Sequence, residues 1–306
     1  MRVISQRRLG GPEVLEVVEV ERPEPRAGEV LVRVRAVGVN PVDRSARSGD
    51  APLFGDPPFT LGWDVSGVVE AAGQDVTEFR PGDEVFAMIR GGGYAEYVVI
   101  RTEHLAPKPG NVDHVQAAAL PSAALTSWLA LVDIGQIGPA RRVLIHAAGG
   151  GVGHVAVQIA KAEGAYVIGT AGADKHDFLR ELGVDELIDY TTTDFAHSLR
   201  DVDVALDLIG GDYGPRTLVT LRPGALLASA MLWDPGVTQE DAETRGVRFA
   251  PISVQPSGAT LRKVAALMAA GRLRAHVSAT LPLEEAAKAH ELGSSGHTQG
   301  KIVLTI

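Results

Sequence analysis

The sequence predicts an α/β chain of two parts: a β-rich region, then a doubly wound parallel sheet. Three observations carry this. Residues 1–115 hold short alternating apolar runs bounded by Gly and Pro, with no helix longer than two turns evident before His114. Beyond residue 115, strand-like and helix-like segments alternate, the pattern of a parallel sheet covered on both faces. Residues 142–161, RVLIHAAGGGVGHVAVQIAK, read in succession as strand, glycine turn and helix.

Residues 30–37 alternate outward arginines with inward aliphatics, as a half-buried strand does. Strands follow at 64–70 and 84–89. Pro81-Gly-Asp83 is a turn by composition, and Gly91-Gly-Gly93 breaks the chain before a strand at 94–100. Residues 117–131 are helical in composition, with Pro121 starting or kinking a turn. The alternation then runs 142–148, 154–163, 166–171, 174–182, 186–189, 202–209, 214–221 and 225–231, with Gly183 as C-cap of the helix 174–182. Helical pattern returns at 260–270 and 283–292, and residues 301–306 close the chain as a strand.

The glycine turn carries the functional signal. The first free N–H groups of the following helix point at whatever sits above the turn, and a pyrophosphate fits there only if side chains are absent. Gly151 and Gly153 allow close approach, and Gly150 is expected to take positive φ. The ordinary alternative is a tight β–α corner. A second strand, 165–170, ends about 20 residues after the turn, where a dinucleotide site reads the adenosine ribose, and favours binding.

Composition narrows the class. Hydrophobic residues make up 45% and charged residues 22% of the 306 positions, ordinary for a globular protein of two domains. A net charge of −9 argues against nucleic acid or an anionic membrane as partner. The absence of cysteine removes disulfides, thiolate nucleophiles and cysteine zinc sites. The first residues lack the apolar core of a signal peptide, and no apolar run reaches the ~18 residues of a transmembrane helix, so the cytoplasm is the expected location.

Several motifs occur in order: Asn40-Pro-Val-Asp43, Leu61-Gly-Trp-Asp64, Arg80-Pro-Gly-Asp-Glu-Val-Phe86, Gly93-Tyr-Ala-Glu-Tyr97, Leu120-Pro-Ser-Ala-Ala-Leu-Thr126, Ile145-His-Ala-Ala-Gly-Gly-Gly-Val-Gly153 and Gly300-Lys-Ile-Val-Leu304. From end to end the chain resembles the zinc-free quinone oxidoreductase branch of the medium-chain dehydrogenase/reductase superfamily. The resemblance implies a GroES-like β-rich catalytic domain over 1–115, a Rossmann domain binding NADP over 116–254, and a return to the catalytic domain over 255–306. Zinc-dependent relatives carry a cysteine near Asn40 and Gly-His-Glu where this chain has Gly62-Trp-Asp64, so no metal is expected.

The resemblance puts Asn40 beside the nicotinamide as a positioning residue; the plainer alternative is an Asx-turn at an X-Pro corner. It turns the Thr126 hydroxyl toward the cofactor. Gly150, Gly151, Val152 and Gly153 line the pyrophosphate; Thr170, Lys175, Tyr190, Ile209, Gly210 and Ser229 complete the expected cofactor contacts. Asp43 is expected to fix its loop through backbone N–H groups, and Asp64 to pair with an arginine such as Arg44. The second Rossmann strand ends in Gly169-Thr-Ala-Gly172 without the acid of an NAD site, and Lys175 suits a 2′-phosphate, so NADPH is the expected cofactor. Asp174 reads as the N-cap of the helix after it. Two departures stand out. Arg44-Ser-Ala-Arg47 replaces the tyrosines of the loop after Asn-Pro-Val-Asp, which points to an anionic acceptor rather than a large flat quinone. The usual C-terminal phosphate-binding arginine is missing; His297 and Lys301 are the candidate substitutes, though Lys301 reads better as the start of a strand.

The expected activity is hydride delivery from NADPH to a quinone or an α,β-unsaturated carbonyl, a small electrophilic acceptor. No residue suits as general acid, which leaves water or a ribose hydroxyl as proton source. The alternatives are an enoyl reductase of secondary metabolism and a non-catalytic NADPH-binding sensor. A homodimer is expected through an apolar edge strand at 247–254.

Overall fold

A computed structural model describes residues 1–51, 55–294, 296 and 298–306. Two compact units form: Met1–Ser122 with Pro256–Ile306, and Ala123–Gln255.

In the first unit a seven-stranded sheet runs Val277–Pro282, Lys301–Thr305, Glu29–Val39, Asp64–Ala72, Glu84–Met88 and Leu105–Pro107, with Tyr97–Arg101 also on Glu29–Val39. Val30, Val32, Val34, Val37, Val65, Val69 and Val85 pack into its core with Tyr94, Ile302 and Leu304. The expected strand 94–100 begins only at Tyr97, because Tyr94 is fully buried and Ala95 bridges to Val3.

Residues 41–48 correct the sequence reading. They form a helix, Pro41–Ser48, rather than a loop. Pro41 starts it with a preset φ, the Asp43 carboxylate accepts from the Asn40 N–H, and Gly49 ends it in the left-handed region at φ 92°.

The second unit holds a six-stranded parallel sheet ordered Glu186–Asp189, Tyr166–Ala171, Arg142–Ile145, Val202–Asp207, Leu221–Ser229 and Arg248–Pro251. Counted along the chain the order is 3-2-1-4-5-6, the doubly wound dinucleotide arrangement. The middles of its strands are mostly apolar because both faces are covered, and the charged residues sit mainly near strand ends, as Arg142, Asp207 and Arg248 do. Val143, Ile145, Val167, Val204, Leu206 and Leu226 pack on one side, and Leu144, Ile168, Ala205 and Leu227 on the other. The helix Gly153–Ala162 packs its buried face over the first core. No helix among the described residues is long and apolar enough to cross a membrane.

Candidate active site

Strand register assembles a buried polar cluster in the first unit. Ile302 lies opposite Val39, and Gly38 lies opposite both Val303 and Asp64. The ends of three strands therefore bring Lys301, Asn40 and Asp64 together. Lys301 Nζ donates to Asn40 Oδ1 and lies 3.8 Å from Asp64 Oδ2. Asn40 Nδ2 donates to the same Asp64 oxygen at 3.0 Å, while Ser122 donates to Asp64 Oδ1 through its N–H at 2.8 Å and through its hydroxyl. Asp43 is held by the N–H groups of Asn40 and Gly62, at 2.9 and 2.8 Å. That is the loop-fixing role expected of it.

Burial sets the electrostatics. It lifts Asp43 to about 7 against the pull of its two backbone donors. Burial raises Asp64 and lowers Lys301, each opposed by attraction to the other.

Three expectations change here. Asp64 pairs with Lys301, not Arg44, because the closing strand places the lysine beside it. Lys301 is buried with its amine turned inward, so it is no substitute for the phosphate-binding arginine; His297 lies outside the described residues. Arg47 does not stand free for an anionic acceptor: it is buried and donates to Gly10 O and His290 Nδ1, while the half-buried Arg44 donates one bond, from Nη1 to Gly293 O. The Asn40 carboxamide bonds to Asp64 and Lys301, and Asn40 is also the N-cap of the helix, in keeping with the corner reading.

The second unit presents the glycine turn at the carboxyl ends of its strands. A Cβ on Gly153 would lie 2.2 Å from Ala147 O and 2.7 Å from Ala148 Cα, so only glycine fits. The left-handed residue of the turn is Ala147, at φ 48°, rather than Gly150, whose N–H closes the turn onto Ala147 O. The N–H groups of Gly151, Val152 and Gly153 make no bond to other turn or loop backbone among the described residues. They suit an anion at the start of a ten-residue helix. Lys175 lies across Gly149, where a Cβ would come 2.8 Å from its Cδ. Asp174 caps nothing, since it sits inside a 3-10 turn, Ala173–Lys175, that precedes the helix His176–Glu181.

Thr170 is fully buried and its hydroxyl meets His146 Nδ1 at 3.1 Å, so it is committed within the fold. His146 was not anticipated. It stands between Thr170 and Thr217, packed on Phe195 and Tyr213. Because the Thr217 hydroxyl donates to Tyr213 O, it accepts from His146 Nε2–H, and Nδ1 accepts from Thr170. The neutral ring is thus fully satisfied, and burial lowers it to about 3. Asp207 accepts from the N–H groups of Ile209 and Gly210 and from the Ser229 hydroxyl, tying two strand ends together. Ile209 and Tyr190 are exposed side chains, whereas Thr126 is buried on the helix Pro121–Trp128.

Residues 26–110 match the family described as alcohol dehydrogenase GroES-like domain, and residues 182–304 the family described as zinc-binding dehydrogenase. The chain is 35% identical to a mouse NAD(P)H oxidoreductase, RTN4IP1, covering 91% of this chain and 82% of that protein. It is 33% identical to a pig quinone oxidoreductase, covering 100% and 98%. The Escherichia coli quinone oxidoreductase solved with NADPH superimposes at TM-score 0.92, with 31% identity and 100% of both chains covered. A 2-haloacrylate reductase superimposes at 0.86, with 31% identity and 100% and 99% covered.

The polar cluster does not fit the zinc ion that one family description implies. A tetrahedral site needs about three protein ligands. Here Asn40 and Asp64 are committed to an ammonium and Asp43 to backbone N–H groups. Among the described residues no three His, Cys, Asp or Glu side chains gather as ligands.

Proposed function

Because the chain belongs to the quinone oxidoreductase branch of the medium-chain dehydrogenase/reductase superfamily, we propose that it is an NADPH-dependent reductase of quinones or activated C=C bonds that works without zinc. One observation supports zinc-free chemistry: Asn40 and Asp64 are occupied by the Lys301 ammonium, which leaves them poor ligands for a metal.

The cofactor supplies a hydride. Gly151, Val152 and Gly153 hold its pyrophosphate through backbone N–H groups, with no side chain to obstruct the approach. Lys175 attracts the 2′-phosphate, and Tyr190 packs beside it. Thr126, Gly150, Ile209 and Gly210 shape the rest of the seat, and Thr170 and Ser229 brace it from within the fold through His146 and Asp207. Asn40 donates a hydrogen bond to the acceptor's carbonyl oxygen, which gathers charge as hydride arrives at carbon. Positioning of donor and acceptor supplies several kcal/mol more. Water or a ribose hydroxyl delivers the proton. The likeness to a 2-haloacrylate reductase supports small activated alkenes among the acceptors.

The test is NADPH oxidation with a panel of quinones and small enones, with and without a chelator. Chelator-resistant turnover is expected, together with failure to oxidise ethanol or benzyl alcohol, since the buried groups with shifted pKa, Asp43, Asp64 and Lys301, are bonded to backbone N–H groups or within their own cluster rather than placed to take the alcohol proton. Chelator-sensitive alcohol oxidation overturns the reading. Cofactor binding with no turnover on any acceptor makes the protein a sensor instead.

A further inference from the structure

We propose that Lys301 and Asp64 are positioning residues that clamp the Asn40 carboxamide, leaving one Nδ2–H as a fixed donor to the acceptor's oxygen. This rests on the reductase reading above.

A carboxamide has one accepting oxygen and one donating nitrogen, and its orientation follows from its partners. An ammonium only donates, so the Asn40 oxygen must face Lys301. An ionised carboxylate only accepts, so the nitrogen must face Asp64, at 3.0 Å. Neither partner tolerates the flipped amide. Asp64 is itself immobilised by two donors from Ser122, and Lys301 by its place at the start of the closing strand.

The clamp uses one of the two Nδ2 hydrogens. Among the described residues the second meets Gly38 O alone, at 3.5 Å, beyond the usual range of a good N–H···O bond. Asn40 is 6% exposed, so its side chain is buried but not sealed from the surface. A buried ion pair is a poor device for stability alone, since well-packed apolar residues commonly do as well. A donor that must not rotate as charge develops is a use that repays its desolvation.

The experiment is a double-mutant cycle on the full chain with Asn40→Ala, Lys301→Met and the two combined. For each protein, kcat and KM with a small enone, the NADPH dissociation constant and the melting temperature are measured. Asn40→Ala and Lys301→Met are each expected to lower kcat by about 10²-fold, as loss of one donor to a developing oxyanion does. The NADPH dissociation constant should stay within about twofold. The combined variant should be no slower than Asn40→Ala alone, within about twofold, because both remove the same donor. A purely structural brace would lower the melting temperature and leave kcat of the folded fraction intact. Should Lys301→Met fail to fold, Lys301→Met with Asp64→Asn removes both charges at similar size, and the same loss of kcat is expected. Unchanged kcat in the lysine variant, or losses that multiply in the combined one, overturn the clamp while leaving the reductase reading standing. No turnover by the unsubstituted protein on any quinone or enone overturns both.

Discussion

Arg47 and His290 meet inside the first unit, Arg47 Nη1 standing 3.0 Å from His290 Nδ1. A guanidinium cannot accept, so Nδ1 must, and the ring proton sits on Nε2, donating to Tyr94 Oη at 2.9 Å. The chain from the helix Pro41–Ser48 through the helix Ala286–Gly293 to Tyr94 is buried throughout.

This makes Arg47 a structural residue rather than a reader of acceptor charge. Arg47→Met should cost about 2–4 kcal/mol of stability, the range for breaking a buried charged hydrogen bond. The ratio of kcat/KM for an anionic enone over its neutral analogue should not change. A selective loss on the anionic acceptor would restore the arginine to substrate binding.

Stability should fall on acidification because of His146 and His290. Burial holds both native rings at about 3, against an ordinary value of 6.5. Between those values the unfolded chain binds a proton that the native ring refuses, so native stability drops as pH falls through the window. Each ring contributes up to about 1.4 kcal/mol per pH unit, or about 1.6 kcal/mol from pH 6.5, where the unfolded ring is half protonated, to pH 5. Asp43 works the other way: native at about 7 and ordinarily 3.8, it holds a proton that the unfolded chain lacks, so acid favours the fold there. Urea midpoints at pH 6.5 and 5 measure the sum. His146→Gln and His290→Gln should each flatten the acid loss, and an unaltered slope in both would show that the rings titrate normally.

Cofactor choice should reside in Lys175. NADPH should be preferred over NADH by about tenfold or more, equivalent to about 1.4 kcal/mol. Lys175→Ala should weaken NADPH and spare NADH. Gly153→Ala should weaken both alike, since its Cβ meets backbone 2.2 Å away, and should cost about 1–3 kcal/mol of stability by overpacking. Equal loss of both cofactors in the lysine variant would remove it from the 2′-phosphate.

A homodimer should form through the strand Arg248–Pro251. It is the last of the six parallel strands, and among the described residues nothing pairs with its outer edge. Pro251 lacks one donor and is tolerable at an edge. Light scattering at micromolar concentration should give twice the chain mass of 32.2 kDa, and a monomer there would refute the interface.

The nucleotide half of the site was legible in the chain because its signals are local. The glycine turn, the apolar strand before it and the helix after it lie within twenty consecutive positions, and residues 186–189 form the strand their pattern predicts. Asp43 was legible too, since it serves backbone N–H groups close to its own motif. The helix Pro41–Ser48 was missed because its short polar stretch offers no apolar periodicity; Pro41, Asp43 and Gly49 were the signals present.

By itself, then, the sequence determined the two architectures, the strand–glycine turn–helix unit and the lack of cysteine ligands. Tertiary structure decided the fates of Lys301, Arg44, Arg47 and His146. A lysine opening a strand and arginines on a polar helix look solvent-facing, and only pairing partners far along the chain draw them in. Lys301 and Asn40 lie 261 positions apart, and Arg47 and His290 lie 243 apart. Strand register and helix packing bring these groups within bonding distance, and a buried charge is stable only where such partners have already been assembled around it.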